Sequence, residues 1–316
     1  MPSLEVITMG RVGVDLYPEQ IGVTLAEVST FAKSLGGSPT NVAVAAARLG
    51  RRAAVITKVG DDPFGLYVRR AIAELGVDTR WVGTDPVLPT PLVFCEIFPP
   101  DRFPVYFYRE PKAPDMNIAR EDLDLAAIAA APLFWTTGTG LSDEPSRSAT
   151  LAALDARQRR DFTIHDLDHR HQLWRGGDDA RRWAREAAKR ATVVVGNIDE
   201  VEMATGTRDP RVGAEALLGL GVTIAVVKRG GEGVYARTAR EEFTVPAVEI
   251  PVLNGLGAGD AFGGALCHGL LAGWPLRRTL EVANAAGAIV ASRLACADAM
   301  PTLAEIEGVL ARKVSA

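Results

Sequence analysis

The chain has 316 residues, 47% of them hydrophobic and 23% charged, with a formal net charge of −4. An ordinary apolar fraction with nearly balanced charge excludes intrinsic disorder, and the mild acidic excess leaves no electrostatic footprint for nucleic acid or an anionic membrane. The length allows about two domains, or one large α/β domain with an appendage, and any phosphate-binding role has to come from a local site rather than from bulk charge.

Read in chain order, MPSLEVITMG carries neither a basic leader nor a long apolar run, so Glu5–Met9 is predicted as a first strand. Residues 11–35 show little helical periodicity. A helix is expected over Thr40–Leu49, a strand over Ala53–Val59 and a helix over Pro63–Leu75. Residues 86–110 break the rhythm again, alternating like an antiparallel strand through Pro91–Ile97 and Val105–Tyr108. The apolar stretch from Ala126 to Trp135 is too short to cross a bilayer and contains Pro132; its end, Leu133–Thr137, reads as a strand. Strands at Phe162–Asp166, Thr192–Gly196 and Thr223–Lys228 then alternate with helices at Ser146–Arg159, Asp179–Arg190 and Arg211–Leu218. Helices at Asp260–Ala272, Leu276–Leu294 and Thr302–Arg312 follow, the last with Thr302 and Glu305 as a capping box.

Alternating strand and helix implies an α/β fold on a mostly parallel sheet covered on both faces. The surplus is a small β excursion: residues 1–10, 36–85 and 111–316 form the α/β domain, and 11–35 with 86–110 form a discontinuous β lid. Cys95, Cys267 and Cys296 are too few and too scattered for a disulfide framework or a CxxC metal site, which fits a reducing cytoplasm.

Chemistry concentrates in Asn254-Gly-Leu-Gly-Ala-Gly-Asp260, which opens an apolar helix. Three glycines leave amides uncovered at a positive helix end, an anion hole. An aspartate there would repel an anion if the loop were only a cradle. Asp260 reads either as a helix cap or as the base that takes a proton from a hydroxyl attacking phosphorus. Neither a Walker A motif nor a Rossmann GxGxxG after the first strand is present. Upstream, Leu35-Gly36-Gly37-Ser38-Pro39-Thr40-Asn41 leads into a helix; two glycines admit a small ligand to the backbone, and Asn41 offers a donor and an acceptor to a polyol or simply a good helix entry.

Together these segments resemble the PfkB/ribokinase family of sugar kinases. Gly36, Gly37 and Asn41 with Gly50 and Gly60 resemble its first signature, and Gly257-Ala258-Gly259-Asp260 its second. Asn197-Ile-Asp-Glu200 looks like the family's NxxE motif, and Lys228-Arg-Gly230-Gly231-Glu-Gly233 like its nucleotide loop. The resemblance implies a ribokinase-like three-layer α/β/α fold with a small β-sheet lid that closes on the sugar and often dimerises. It implies Asp260 as base, with the amides of Gly257, Ala258 and Gly259 as anion hole. Asp15, Gly36, Gly37 and Asn41 would hold sugar hydroxyls. Asn197, Glu200, Lys228, Gly230, Gly233 and Asn284 would serve ATP, with Glu200 acting on Mg²⁺ through water. Relatives commonly carry Asp-Thr at the start of the second signature, where carbonyls hold a monovalent cation such as K⁺. This chain has Asn254-Gly255-Leu256, which puts that site in question.

For the acceptor, Tyr106-Phe107-Tyr108-Arg109 and Asp166-Leu-Asp168-His169-Arg170-His171-Gln-Leu-Trp174 place Phe107 and two arginines near the site. Arginine's fork matches a carboxylate, whereas a neutral sugar needs none. These segments resemble those of kinases acting on keto-deoxy sugar acids, with Asp168 where those have Asn. The competing reading makes Arg109 a solvated lid charge and Arg170 an ATP contact. Arg293-Leu-Ala-Cys-Ala-Asp-Ala-Met-Pro-Thr302 resembles the branch acting on 5-dehydro-2-deoxygluconate in inositol breakdown more than the 2-keto-3-deoxygluconate branch. His165, His169 and His171 do not share one helical face, and zinc is not expected.

Overall fold

A computed structural model describes residues 3–174 and 176–314. The strands are β1 (Val6–Met9), β2 (Gly13–Pro18), β3 (Phe31–Gly36), β4 (Ala53–Gly60), β5 (Val82–Asp85), β6 (Leu92–Cys95), β7 (Val105–Tyr108), β8 (Leu133–Thr137), β9 (Thr163–Asp166), β10 (Val193–Asn197), β11 (Ile224–Lys228), β12 (Val234–Arg237) and β13 (Glu242–Val245). The helices are α1 (Ser38–Arg48), α2 (Pro63–Glu74), α3 (Leu125–Ala130), α4 (Ser146–Ala156), α5 (Gly177–Ala188), α6 (Ile198–Thr205), α7 (Pro210–Gly219), α8 (Ala258–Leu271), α9 (Leu276–Ala291) and α10 (Leu303–Val314).

The main sheet runs β13-β12-β11-β10-β9-β8-β1-β4-β5, parallel except at β12 and β13. Its strands are apolar on both faces because helices cover both. Val6, Trp135, Ile164, Val195 and Val226 pack in one core with α1, α8 and α9, while the intervening Ile7, Phe134, Val194 and Ala225 belong to separate cores on α3–α4 and α5–α7. Helices α1 and α8 approach closely: a Cβ on Gly264 would strike Ala45 and lie 2.8 Å from the backbone nitrogen of Ala46.

A second sheet, β3-β2-β6-β7, is built within 11–36 and 86–110. Alternation along these strands turns Asp15, Val93, Cys95 and Phe107 toward the main domain. Phe31, Phe94 and Tyr108 stack edge to face on the other side, with Tyr108 65% exposed.

The structure adds elements that periodicity did not signal: β5, the β12–β13 hairpin, and the short helices α3 and α6. These are four to eight residues long, too short for a hydrophobic period to stand out. The expected helix 276–294 stops at Ala291, whose carbonyl accepts the N–H groups of Leu253 and Asn254 at 2.9 and 3.0 Å. No helix among the described residues is long and apolar enough to cross a membrane.

Strand order reverses at β1, which has β4 on one side and β8 on the other. The crevice beyond the carboxyl ends at such a point is where open α/β sheets bind ligands. Here it receives Arg11, Thr139, Asp168, Asn197 and Lys228, each at or just past a strand end.

Candidate active site

Two hollows open over these strand ends. One, of about 350 Å³, lies under the lid and is lined by Arg11, Asp15, Asn41, Phe107, Arg170 and Asp260 among others. The other, of about 510 Å³, runs along the strand ends past Asn197, Glu200, Lys228, Gly230, Gly233 and Asn284. Both are lined by Ser38, Arg170, Gly257 and Asp260, so Asp260 stands where they join.

Gly257 is the N-cap of α8, with φ of 80°, and a Cβ there would meet the Cys296 sulfur. Only glycine satisfies both constraints, and the result is an uncovered amide run at the positive end of a 14-residue helix. Asp260 does not cap this helix. Its Oδ2 accepts from Asn41 Nδ2 at 2.8 Å, which holds the carboxylate toward the under-lid cavity. Burial, helped by the charge of Asp168, pushes the Asp260 carboxyl above its ordinary range against the opposing pull of Asn41, Ser38 and Arg11. Such a group accepts a proton more readily than a free carboxylate.

Gly37, at φ of 103°, lets α1 start against the carbonyl of Arg11, where any Cβ would collide. Gly36 leaves room for the Asp15 carboxylate. Burial raises Asp15 to about 6, and Tyr17 donates its hydroxyl to Oδ2 at 3.1 Å.

Arg109 is not in the cavity. It is buried against Asp115, whose Oδ2 accepts the Val12 N–H at 3.0 Å, so it fixes the entry to the second sheet instead of facing the cavity. The guanidinium that lines the cavity in its stead is Arg11. Its Nε donates to Thr139 Oγ1 at 3.1 Å, its Nη2 to Asp168 Oδ2 at 3.2 Å, and its plane lies 5.8 Å from the Phe107 centroid. Arg170 Nε reaches the other oxygen of Asp168, also at 3.2 Å. Burial pushes Asp168 up, but the two arginines and the hydroxyl of Thr139 more than offset it, and Asp168 is held well below its usual range. Nothing in the sequence tied Arg11 to Arg170; that pairing needs β1 and β9 to end side by side around β8.

Asn197-Ile-Asp-Glu200 forms a capping box on α6: Glu200 Oε2 accepts the Asn197 N–H at 2.7 Å and Asn197 Oδ1 accepts the Glu200 N–H at 2.9 Å. The motif is thus structural as well as cleft-lining. Lys228 Nζ lies 3.7 Å from Asp166 Oδ2, and a Cβ on Gly259 would lie 3.4 Å from that ammonium, which places it beside the amide run of α8. Burial lowers Lys228, yet Asp166, Glu200, Asp260 and Asp168 together hold it above its ordinary value. Asp166, missed from sequence as a site residue, is pushed up by burial and by Glu200 and Asp168 in spite of Lys228. Asn284 donates to the carbonyls of Val245 and Pro246 at 3.3 and 3.2 Å, so it braces the cleft wall. His165 is buried with Nδ1 3.0 Å from Thr136 Oγ1 and is held neutral, near 4, chiefly by burial; His169 and His171 line the under-lid cavity.

The model of the pfkB family carbohydrate kinases matches residues 3–303. The chain belongs to that family. It is 34% identical over 311 residues to the 5-dehydro-2-deoxygluconokinase of Geobacillus kaustophilus, covering 96% of this chain and 92% of that one. With the enzyme of the same name from Photobacterium profundum it shares 36% over 308 residues, at 95% and 92% coverage. Aminoimidazole riboside kinase from Salmonella enterica, solved with aminoimidazole riboside and an ATP analog, superposes with a TM-score of 0.80 at 26% identity, covering 97% and 99%. The fold is ribokinase-like, and the chain is a carbohydrate kinase.

Proposed function

We propose that this kinase transfers the γ-phosphoryl group of ATP to a terminal hydroxyl of 5-dehydro-2-deoxy-D-gluconate, a step that would serve inositol breakdown. The observation that carries the reading is the position of Asp260 at the join of the two cavities, oriented by Asn41 and flanked by the amide run of α8. The acceptor hydroxyl gives its proton to a carboxylate oxygen of Asp260 as its own oxygen bonds to phosphorus and the bond to the ADP oxygen breaks. The amides of Gly257, Ala258 and Gly259, with Lys228, stabilise charge developing on the transferred group. Asp15, Gly36, Gly37 and Asn41 hold the sugar hydroxyls. Arg170 and Arg11 supply free guanidinium edges for the acceptor carboxylate, an arrangement a neutral ketose does not require.

Magnesium fits the nucleotide cleft. Asp166 and Glu200 are buried carboxylates there, and their mutual repulsion is what a divalent cation relieves. Among the described residues no three His, Cys, Asp or Glu side chains gather to hold a metal alone. Glu200 and Asp166 would hold such an ion mainly through water, with the phosphates of ATP as its other partners. Bound there, Mg²⁺ would neutralise charge on the phosphates. The lid closes over the acceptor and keeps water from the phosphoryl group. Its outer aromatic face is the surface we assign to a homodimer, to be checked by light scattering. A cytoplasmic setting agrees with three buried free cysteines and with the need for ATP.

ADP release measured with 5-dehydro-2-deoxy-D-gluconate, 2-keto-3-deoxygluconate and fructose tests the proposal. The first substrate is expected to exceed fructose by at least about 100-fold in kcat/KM, a lower bound, since a site whose polar groups are left unpaired by the wrong substrate discriminates by up to about 10⁴–10⁵. A preference for either competitor refutes the acceptor, and no ADP release with any of them refutes the kinase reading.

A further inference from the structure

The family resemblance implies a monovalent cation among carbonyls near the head of the second signature. A potassium site consists of inward-facing oxygens that replace the ion's hydration shell. In this chain oxygens there already accept hydrogen bonds from N–H groups. Asn254 is fully buried; its Nδ2 donates to the Leu294 carbonyl at 2.7 Å, and its Oδ1 accepts the Leu256 N–H at 3.0 Å. The Asn254 backbone N–H goes to the Ala291 carbonyl at 3.0 Å. Three residues on, Gly257 packs against Cys296. The loop is thus tied to the end of α9 and the segment after it by the Asn254 backbone N–H, by its side-chain Nδ2 and by the Gly257–Cys296 contact, while the same amide's Oδ1 braces the loop itself; an amide both gives and accepts where a carboxylate only accepts.

We infer that Asn254 takes the place of the cation, as a neutral cross-link that positions the anion hole, and that this enzyme needs no potassium. The inference rests on the kinase reading only for its kinetic arm. Asn254 is a positioning residue: it touches neither sugar nor phosphate and acts through Gly257–Gly259.

The wild-type protein is compared in potassium chloride and in N-methyl-D-glucamine chloride of equal ionic strength. The expected kcat/KM agrees within about twofold and the melting temperature within about 1 °C, since an ion that does not bind the folded state cannot stabilise it. Thallium(I) NMR is expected to show no saturable broadening by the protein. In the glucamine medium Asn254→Asp sets an unprotonated oxygen against the Leu294 carbonyl, and its kcat/KM is expected to fall by about tenfold or more, with potassium restoring it. Saturable activation, stabilisation or thallium broadening of the wild type overturns the inference. So does indifference of Asn254→Asp to potassium, whether that variant is active or inactive. Absence of ADP release from the wild type in both media refutes the kinase reading instead, and leaves melting and thallium binding to decide this one.

Discussion

Asp260→Asn isolates proton removal from everything else the loop does. Asn41 Nδ2 donates to Asp260 Oδ2, so an amide at 260 must turn its oxygen toward Asn41 to avoid two facing donors, and its NH2 then points at the acceptor hydroxyl. The variant keeps the packing and loses the base. General-base catalysis contributes roughly 10²–10⁴-fold, so kcat should fall by about 3–5 kcal/mol of transition-state stabilisation. ATP affinity by calorimetry should change by less than about threefold, because the amide run is backbone and stays in place. Stability carries a second signature. The folded pKa of Asp260 lies above its unfolded value, so the neutral form stabilises the fold below about pH 4 and that contribution is lost as the pH rises through the folded pKa. The variant should therefore melt higher than the wild type at pH 8 and alike at pH 4. A kcat within about fivefold of wild type, with an intact fold, refutes the assignment of Asp260 as base.

Three further outcomes follow from the same geometry. Arg170→Ala should raise the acceptor KM by about 10–150-fold, the worth of a charge-assisted hydrogen bond, with ATP KM nearly unchanged, whereas Arg109→Ala should lower the melting temperature by orphaning buried Asp115, a cost of about 3–5 kcal/mol; steady-state kinetics and thermal melts separate the two, and the reverse pattern refutes the placement of these arginines. Asp15, raised to about 6 by burial, should make acceptor kcat/KM fall as the pH drops below 6, and its neutral form stabilises the fold below about pH 4, a contribution lost as the pH passes 6. Asp15→Asn should abolish that kinetic limb and stabilise the protein at pH 8 by at most about 3 kcal/mol; an unchanged pH profile refutes the role. Gly264→Ala should destabilise by about 1–3 kcal/mol in a urea titration, because the added methyl meets Ala45 and the α1 backbone; a gain of about 1 kcal/mol, the helix-propensity value alone, would refute that packing.

The alternation of apolar strands and Ala/Leu-rich helices, the glycine pattern before Asp260 and the lid's interruption of the rhythm were all legible in the chain, because backbone geometry and period are local properties. The same locality explains the misses. Asn197 and Glu200 read as a nucleotide motif, and only the folded turn reveals that they cap each other. Arg109 and Arg11 are both arginines near the lid, and no linear pattern says which one Asp115 captures and which one pairs with Asp168 at the cavity wall.

By itself the sequence determined the class of fold and the family, and it singled out Asp260 and the glycine run before it as candidates, since these depend on residue types at short spacing. The tertiary structure decided which arginines line the cavity, that Asp260 lies at the meeting of two cavities, and that Asn254 bridges to Leu294, forty residues away. Those facts depend on which strand ends lie side by side and on burial. Desolvation moves the carboxyls of Asp15 and Asp260 only once the chain has closed around them.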